Sequence, residues 1–548
     1  MGVPCARIGA TSMHRRLEES IEEPPNPTPA IPQAAEGALA PAQSFVRTNA
    51  WAIGAVSVAL LIPCFCHRHL VASDLASHVY NAWLAALIRS GQAPGLYLVT
   101  RWNNVLFDVI LERLGMLVGW AAAERIAVSL SILVFFWGAF ALMSAASRRA
   151  AWFLTPGIAM IAYGWTFQVG FSNYYLSLGL GFWSAALLWR GKGWELLLVL
   201  ALLPIVLLAH PFGFAFVLGA IAYAKIHEAL PGFWKLLPLA GAVAAIFLLR
   251  TYLTHHYPVQ WMPNPLPLYL VNGLNGVDQL VLGSSYKNLA RIVFLAGAAC
   301  LLLDMTQRVV RGRSIKPLAA FSIPLALYGI ALLATAAWPD SIRFPQYATP
   351  VSFLLTRFSS ISAVLALCIL ACAAPKKWHL AVFGTLALIF FVLLYRDSGI
   401  INRMEDQADR LVNQLPPGQR VTYTIWSLPN TRFNFIGRMV DRACVGRCFS
   451  YQNYEPSTLQ FRVRARAGNP IVASSVEDVD LMETGLYVVR PADLPLQQIY
   501  QCDDRRTVLC MRELHAGEEN GRIGFNPGVY RADRPDAGAA KPPASASH

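Results

Sequence analysis

The run NAWAIGAVSVALLIPCFC, residues 49–66, is followed after a short polar gap by DLASH, residues 74–78. The first run is long enough to cross the hydrocarbon layer of a membrane, which requires about 17–25 apolar residues. Asp74 and His78 are four residues apart and therefore share one face if this stretch is helical. Because the pair comes directly after a predicted span, we expect it at the membrane surface, with the placement of a reaction centre.

The composition of the 548-residue chain is typical of a membrane protein. Hydrophobic residues make up 55% of it, charged residues only 14%, and the mean hydropathy is +0.43. No water-soluble core of this length needs so much apolar sequence, so these values indicate a polytopic membrane protein. The net charge of +13 comes from short basic groups between apolar segments rather than from one basic stripe, so nucleic acid is not an expected partner.

Apolar segments of membrane-spanning length recur along the chain and predict a membrane all-α fold with about eleven transmembrane helices. Their cores lie near residues 49–66, 119–145, 152–169, 174–190, 194–209, 211–226, 234–250, 288–304, 318–337, 351–373 and 378–395. Residues 1–48 are polar and rich in Pro and Ala, without the apolar run of a signal peptide. We expect them to form a disordered cytoplasmic tail ahead of a transmembrane domain of residues 49–395.

The charges of the loops predict which side of the membrane each loop faces, because cytoplasmic loops are rich in Lys and Arg. One alternate set of loops contains basic groups such as residues 148–149 and 376–377. The other set contains Asp74 and the long segment 250–287, and is therefore expected outside. These features predict a multi-pass protein of the inner (plasma) membrane with a cytoplasmic N-terminus. An odd number of spans then places everything after residue 395 outside.

Residues 396–530 have ordinary polarity and short β-rich runs, which predict a small extracytoplasmic mixed α/β domain. Residues 401–415 have the pattern of an amphipathic helix. The predicted strands are Arg420–Trp426, Phe461–Arg466, Ile471–Ser474, Gly485–Arg490 and Thr507–Glu513. Residues 531–548 are rich in Ala, Pro and Ser and are expected to be disordered.

The C-terminal region contains Cys444, Cys448, Cys502 and Cys510, and four cysteines in an oxidising compartment favour two disulfides. Pairing Cys444 with Cys448 and Cys502 with Cys510 is the simplest of the three connectivities that four cysteines allow. A four-thiolate zinc site is the alternative, but neither spacing is the tight two-residue one that favours it.

Two amphipathic segments in the first external loop, residues 73–90 and 103–115, are too polar to be spans and fit helices lying in the membrane interface. Trp83 in the first segment is expected at the level of the lipid headgroups. Asp108 lies in the second segment, and polar side chains at this density do not enter lipid without a functional reason.

This arrangement resembles the GT-C superfamily of polytopic membrane glycosyltransferases. Members of that superfamily have a cytoplasmic N-terminus, a first span and a long first external loop that starts with an acidic residue and carries two interfacial helices. The acidic residue at the matching position is Asp74, with Asp108 as a weaker second candidate. Here a lone acid is followed by His78, whereas the best-known pattern of the family has a second adjacent acid, which leaves dependence on a divalent metal ion open.

The resemblance implies an enzyme that takes a sugar from a polyprenyl-phosphate carrier, with Asp74 as the general base that removes the proton of the acceptor hydroxyl. Because the leaving group is a stable phosphate, cationic side chains are needed in place of a second carboxylic acid. His78 is expected to orient Asp74 or to bind the phosphate. Candidates for contacts with the substrates are Arg101, Asp108, Asn173, His210, Arg250 and Arg343. The implied partners are the lipid-linked sugar donor, a glycan, lipid or protein acceptor, and membrane lipids, with no cofactor predicted.

Some of these residues also have purely structural interpretations. Asp74 belongs to a residue type that favours the start of a helix, and His210 lies in a turn where Pro and Gly serve geometry alone. For the whole chain the alternatives are a non-catalytic membrane scaffold and a transporter of a lipid carrier or polysaccharide. A transporter would place polar residues near the middle of several spans, whereas here they gather at the external ends, which favours surface chemistry.

Overall fold

The computed structural model describes residues 42–190, 194–262, 275–310, 319–374 and 376–521, and most of them are helical. The predicted disordered segments at the two ends lie outside the described residues, except that residues 42–48 belong to the first helix. The C-terminal end of the predicted α/β domain, residues 522–530, also lies outside them. The predicted helical class is therefore confirmed, whereas the predicted N-terminal tail is several residues too long.

Helices dominate the chain as far as residue 412, and most of the strands follow. The α-helices are α1 (Ala42–Leu61), α2 (Leu75–Arg89), α3 (Leu106–Val118), α4 (Trp120–Ser147), α5 (Thr155–Ala162), α6 (Trp165–Gln168), α7 (Ser172–Arg190), α8 (Trp194–Ala209), α9 (Pro211–Ala229), α10 (Leu237–His256), α11 (Lys287–Val310), α12 (Ala319–Ala337), α13 (Leu354–Ala371), α14 (Lys377–Val412), α15 (Met439–Cys444), α16 (Glu455–Thr458) and α17 (Val476–Thr484). The strands are β1 (Leu96–Leu98), β2 (Val259–Gln260), β3 (Ser341–Ile342), β4 (Arg420–Thr424), β5 (Phe449–Ser450), β6 (Val463–Ala465), β7 (Leu496–Gln501) and β8 (Leu509–Leu514).

Among the described residues, seven helices are long and apolar enough to cross a membrane, fewer than the eleven expected. They cover Phe45–Cys64, Trp120–Ser147, Pro211–Ala229, Gly232–His256, Ser284–Val310, Leu354–Ala371 and Lys377–Val412. The segment expected as a span at residues 152–169 is not one continuous helix, because the chain there divides into a 3-10 turn, α5 and α6. The break falls at Gly164, where a Cβ atom would lie 2.9 Å from the carbonyl oxygen of Gln279. Hydropathy counts apolar residues and does not detect such a break.

Helices α4 and α7 cross closely because small residues let their backbones approach. A Cβ atom on Gly138 would collide with the backbone of Gly179, and one on Gly179 would lie 2.7 Å from the amide nitrogen of Phe135. The rings of Phe135 and Tyr175 stack beside this crossing with centroids 4.4 Å apart. Close approach of this kind is how helices associate where lipid provides no hydrophobic drive. The crossing fixes α7, whose first turn carries Asn173.

By contrast, α1 and α10 lie at the edge of the bundle. Trp51 of α1 is 93% exposed, and Leu248 of α10 is 71% exposed. Apolar side chains that are exposed along whole helices fit contact with hydrocarbon rather than with water. The chain thus has the surface of a membrane protein as well as its composition.

The C-terminal region contains a four-stranded mixed sheet in the order β5-β4-β7-β8. Strand β4 is parallel to both β5 and β7, and β7 is antiparallel to β8. The predicted strand at 471–474 is wrong, because the side chain of Asn469 accepts hydrogen bonds from the next amides and forms a turn. The predicted strand at 485–490 is wrong as well, since it begins at Gly485 in the left-handed conformation and forms a single bridge.

The bundle and the C-terminal region are joined without a linker, because α14 runs unbroken across the expected boundary at residue 395. Strand β6 pairs with β1, which lies between α2 and α3, and α2 packs against both α3 and α15. Trp83 of α2, expected among lipid headgroups, is 9% exposed and stacks on Phe449 with ring centroids 5.9 Å apart. The C-terminal region therefore covers this part of α2, and the prediction that Trp83 contacts lipid headgroups is wrong.

Two disulfides close short loops next to the four-stranded sheet. They join Cys444 to Cys448 and Cys502 to Cys510, which is the simplest pairing that the spacing suggested. The first follows α15, and the second joins the end of β7 to β8. The alternative of a four-thiolate zinc site is therefore wrong.

Candidate functional site

Asp74 lies at the start of α2 but does not cap the helix. It occupies the N-cap position, and its side chain makes no hydrogen bond to the first turn. Within the described ranges, its carboxylate has no hydrogen-bond or ion-pair partner on any other side chain. The residue is half-buried. Helix capping therefore does not explain why an aspartate stands here.

The backbone of Asp74 is held in place by the turn between α6 and α7. The amides of Ser73 and Asp74 donate hydrogen bonds to the carbonyls of Gln168 and Val169 at 2.9 and 3.0 Å. Gly170 follows with φ +88°, and a Cβ atom there would lie 2.6 Å from the amide nitrogen of Asp74. Glycine alone fits both this left-handed conformation and this close approach. The turn thus fixes the backbone of Asp74 and leaves its carboxylate free.

Two arginines from distant parts of the chain act electrostatically on Asp74. Arg357 belongs to the first turn of α13, and Arg438 directly precedes α15. The Arg357 guanidinium lies 4.7 Å from the ring centroid of Phe171, and that of Arg438 lies 4.4 Å from the ring centroid of Tyr454. Aromatic faces hold guanidinium groups in place without neutralising them. Both cations therefore keep their charge close to the free carboxylate.

The two arginines differ in how far they are already paired. Arg438 forms an ion pair with Glu483 at 2.6 Å. Arg357 forms no ion pair within the described part of the chain, and its Nε atom is buried without a hydrogen-bond partner. Burial raises the pKa of Asp74, although Arg438 and His78 oppose the rise. A carboxylate of raised pKa beside an uncommitted cation is characteristic of sites that perform chemistry.

His78 pairs with Asp108 and not with Asp74, contrary to the expectation from their spacing. Its Nδ1 atom lies 2.6 Å from one Asp108 oxygen, and Asn173 donates a hydrogen bond to the other at 2.8 Å. All three side chains are buried. Burial opposes the charged imidazole, but the charge of Asp108 and its hydrogen bond outweigh burial and raise the pKa of His78 to about 9. His78 is therefore a cation at neutral pH and cannot serve as a base there.

Glu455 of α16 is a further acid at this site, and sequence reasoning missed it. It is 3% exposed, and its Oε1 atom is buried without a hydrogen-bond partner. Burial and the charge of Asp108 raise the pKa of Glu455 well above its usual range, although His78 opposes the rise. The C-terminal region thus brings a buried carboxyl group of raised pKa to the His78–Asp108 pair. No spacing or periodicity in the sequence marks this residue.

Arg357 was also missed, although the sequence carried a signal for it. It is the one charged residue in the predicted span at 351–373, and it lies close to the end that the loop charges predict to be outside. A charged residue inside a predicted span is by default a candidate for function. Arg438 lies in a polar stretch with Arg432 and Arg442 and carries no such signal.

His210 lies beside this cluster in a structural role. Its Nδ1 atom accepts a hydrogen bond from the amide of Phe212 at 3.1 Å and so caps α9. Its ring also packs edge-on against Tyr174, at 5.3 Å between centroids. The Tyr174 ring in turn lies 5.8 Å from the Arg357 guanidinium. His210 is thus one residue removed from the cation, and the turn geometry explains its position.

The predicted contacts Arg101, Arg250 and Arg343 have other surroundings. Arg101 donates a hydrogen bond to the carbonyl of Leu459 at 2.6 Å. Arg250 lies over the ring of Trp261 at 4.8 Å, and Arg343 is exposed. None of the three has a described contact with Asp74. Their predicted role in binding substrate at this site has no support from the geometry.

One group of side chains in the described ranges has the spacing of metal ligands. His69, Asp406 and Asp409 place ligand atoms within 4.8 Å of one another. Arg68 already forms ion pairs with both aspartates, at 3.2 and 3.1 Å. The group contains none of the residues predicted to act in catalysis.

The polar side chains around Asp74 remain partly exposed. Asp74, Arg357, Arg438 and Tyr454 each keep intermediate exposure. The cluster thus presents one carboxylate without a side-chain partner in the described ranges, with two guanidinium groups acting on it. Comparison of the chain with protein-family models, with curated proteins and with solved structures found no match.

Proposed function

We propose that the chain is a GT-C-type membrane glycosyltransferase that moves a sugar from a polyprenyl-phosphate donor to an acceptor on the extracytoplasmic face. Asp74 is the general base of this reaction, and the proposal requires no cofactor. The observation that supports it most is the uncommitted carboxylate of Asp74 beside the unpaired guanidinium of Arg357. In a membrane scaffold there would be no reason to leave both the Asp74 carboxylate and the Arg357 guanidinium without an ion-pair partner.

The reaction moves one proton and exchanges one bond. The acceptor hydroxyl oxygen attacks the anomeric carbon, the bond from that carbon to the donor phosphate oxygen breaks, and Asp74 takes the hydroxyl proton. The carrier phosphate leaves with the electron pair of the broken bond, so a protonating acid is not needed. The raised pKa of Asp74 suits a base that must accept a proton near neutral pH.

Negative charge on the departing phosphate requires preorganised cations. Arg357 and Arg438 act on the same carboxylate from opposite parts of the chain, and a guanidinium binds phosphate oxygens through a rigid fork of donors. His78, kept positively charged by Asp108, adds a third positive charge near Asp74. Such groups stabilise charge as it develops, because they need no reorganisation at the moment of reaction.

The proposal includes a position in the membrane. We place the two shorter apolar helices, Trp194–Ala209 and Ser322–Ala337, in the membrane with the seven longer ones, which brings the number of spans closer to eleven. The loops rich in Lys and Arg then face the cytoplasm. Two disulfides in the C-terminal region favour an oxidising compartment on the opposite side. Asp74 and the C-terminal region share that side.

The experiment is Asp74→Asn in the full-length protein, expressed in cells from which the gene has been removed. Glycolipids and surface polysaccharides are compared by mass spectrometry with those of cells expressing the wild type. We expect the variant to lose the hexose or pentose that the wild type adds, with transfer reduced on the order of 10²–10⁴-fold, since Asn cannot take the proton.

Two controls accompany this variant. Glu513→Gln removes a carboxylate from the exposed face of β8 and should leave transfer unchanged. Asp74→Glu keeps the carboxylate and should retain part of the activity. Full transfer by Asp74→Asn at normal protein levels would remove the catalytic assignment. Identical glycan profiles with and without the wild-type protein would favour the scaffold instead.

A further inference from the structure

Two arginines converge where the first external loop meets the C-terminal region. Arg464 belongs to β6, which pairs with β1, and Arg101 follows β1 in the chain. Both guanidinium groups donate hydrogen bonds to the carbonyl of Leu459, Arg101 at 2.6 Å. Leu459 adopts a left-handed conformation with φ +61° at the end of α16, which turns this carbonyl towards both arginines. One neutral oxygen is thus shared between two positive charges.

No carboxylate of the described residues pairs with either arginine. Arg464 is 6% exposed, and its Nη1 atom is buried without a hydrogen-bond partner. The Nε atom of Arg101 is likewise buried and without a partner. Burial lowers the pKa of Arg464 and the neighbouring charge of Arg101 lowers it further, although Tyr97, Tyr347 and Glu455 oppose this. Buried like charges with unused donors are unfavourable unless an anion joins them.

Two nearby arginines, Arg462 and Arg466, do not share the unpaired burial of Arg464. Arg462 and Arg466 flank β6, two residues to either side of Arg464. Arg462 forms an ion pair with Glu112, and Arg466 is exposed and lies over the ring of Tyr97 at 5.7 Å. Arg464 lies between a buried paired arginine and an exposed one. It is itself buried and lacks a carboxylate partner in the described ranges.

We propose that Arg101 and Arg464 bind a phosphoryl group, at a site distinct from the cluster of Asp74, Arg357 and Arg438. Two guanidinium forks can bind several oxygens of one tetrahedral anion, whereas a carboxylate offers a single charge and two oxygens. Tyr347 lies 5.7 Å from the Arg101 guanidinium and forms part of the wall of this site. The ligand is a phosphate ester or the phosphate of an anionic lipid headgroup, which present the same chemistry to the two arginines.

A lipid source has its own support. Trp102, next to Arg101, is 80% exposed. Exposed tryptophans are enriched at the level of lipid headgroups. The experiment must therefore separate a lipid phosphate from a free one, and it must measure binding directly, so that its result does not depend on whether Asp74 transfers a sugar.

The test uses the purified full-length protein in a detergent with a sugar headgroup, which contains no phosphate. Binding of radiolabelled inorganic phosphate is measured for the wild type and for Arg464→Gln. Arg466→Gln, directly after the same strand, is the matched control. Each measurement is repeated with Arg357→Gln present, so that phosphate bound near Asp74 does not contribute. We expect Arg464→Gln to weaken binding roughly tenfold or more and the control to leave it unchanged.

The second arm distinguishes the two sources. The same proteins are incubated with phosphatidylglycerol or with phosphatidylcholine, and bound lipid is counted by native mass spectrometry. Retention of phosphatidylglycerol that is lost in Arg464→Gln supports a lipid headgroup, and phosphate binding without such retention supports a free phosphate ester. Binding of both ligands that does not depend on Arg464 would overturn the proposal.

Stability without phosphate separates a binding role from a structural one. In phosphate-free detergent, Arg464→Gln should be at least as stable as the wild type, because a repulsive buried charge is removed. Phosphate should then raise the unfolding temperature of the wild type but not of the variant. Arg464→Lys keeps the charge without the fork and should bind phosphate with intermediate affinity. A variant that is destabilised without phosphate yet still stabilised by it would show that Arg464 is structural.

Discussion

Arg442 and Arg357 are the same type of residue in opposite circumstances. Arg442 forms an ion pair with Glu124 at 2.8 Å and another with Glu405, and it donates a hydrogen bond to the carbonyl of Leu70 at 2.8 Å. Arg357 lies over aromatic rings and has no ion pair in the described ranges, although the charge of Asp74 is close. Each guanidinium has a buried Nε atom without a hydrogen-bond partner, but Arg442 is paired with two carboxylates and Arg357 with none in the described ranges.

This difference separates a structural use of charge from a functional one. The Arg442 cluster joins α4 and α14 of the bundle to α15 of the C-terminal region, where buried charges are tolerated because they are paired with opposite charges. Around Asp74, Arg438 and His78 are paired with other residues, but Asp74 and Arg357 form no ion pair in the described ranges. Charged side chains that are buried without an ion-pair partner are expected mainly at functional sites, where a ligand supplies the opposite charge.

The largest expected effect on stability comes from removing Arg442 from its ion pairs with Glu124 and Glu405. Arg442→Met should lower the free energy of unfolding by roughly 3–5 kcal/mol, because Glu124 is left buried without an ion-pair partner and Glu405 is left with His69 alone among the described residues. The measurement is denaturant unfolding of the purified protein in detergent. Arg396→Met is the matched control, since its ion pair with Asp397 is exposed and worth about 1 kcal/mol or less. Equal losses in both variants would contradict the contrast between the two regions.

Local signals in the sequence were enough for the coarse fold. Apolar runs such as residues 119–145 and 351–373 became long helices, because hydropathy over about 20 residues decides whether a segment crosses a membrane. The break at Gly164 was missed, since it depends on close contact with Gln279 from another part of the chain. The burial of α2 was missed for the same reason, because the segment that covers it follows much later in the sequence.

The site was predictable where its residues carried local signals. Asp74 and Asp108 stood out as acids in the loop after the first predicted span. Arg357 was missed, although it is the single charged residue inside the predicted span at 351–373. The pairing of His78 with Asp108 was not predictable, since helical spacing favoured Asp74. Glu455 enters the site only through the fold of the C-terminal region, and one sequence contains no record of that contact.

A smaller effect on stability is expected from deprotonating His78, which forms a buried ion pair with Asp108. The pKa of His78 is about 9 in the folded protein, above the unfolded value of 6.5. The contribution of the charged imidazole is therefore complete below pH 6.5 and is lost as the pH rises through 9. We expect stability to fall by about 1–3 kcal/mol over this range, from denaturant unfolding at several pH values.

The control for this pH dependence is Asp108→Asn, which removes the charge that raises the pKa of His78. Its stability should be lower than that of the wild type near pH 6 and should depend less on pH between 6.5 and 9. A wild-type stability that stays constant over this interval would mean that His78 is neutral in the folded protein. The charge that it is proposed to add near the departing phosphate would then be absent.

The smallest effect on stability is expected from Arg357→Gln, although the proposed reaction depends on this arginine. Removing it loses contacts with the rings of Phe171 and Tyr174, worth about 0.5–2 kcal/mol, but also removes a partly buried charge without an ion pair. These terms oppose each other, so the free energy of unfolding should change by less than about 1 kcal/mol. A loss similar to that of Arg442→Met would show that Arg357 is also a structural residue. A small change in stability, together with lost sugar transfer at normal protein levels, would mean that the charge near Asp74 is held for a ligand rather than for the fold.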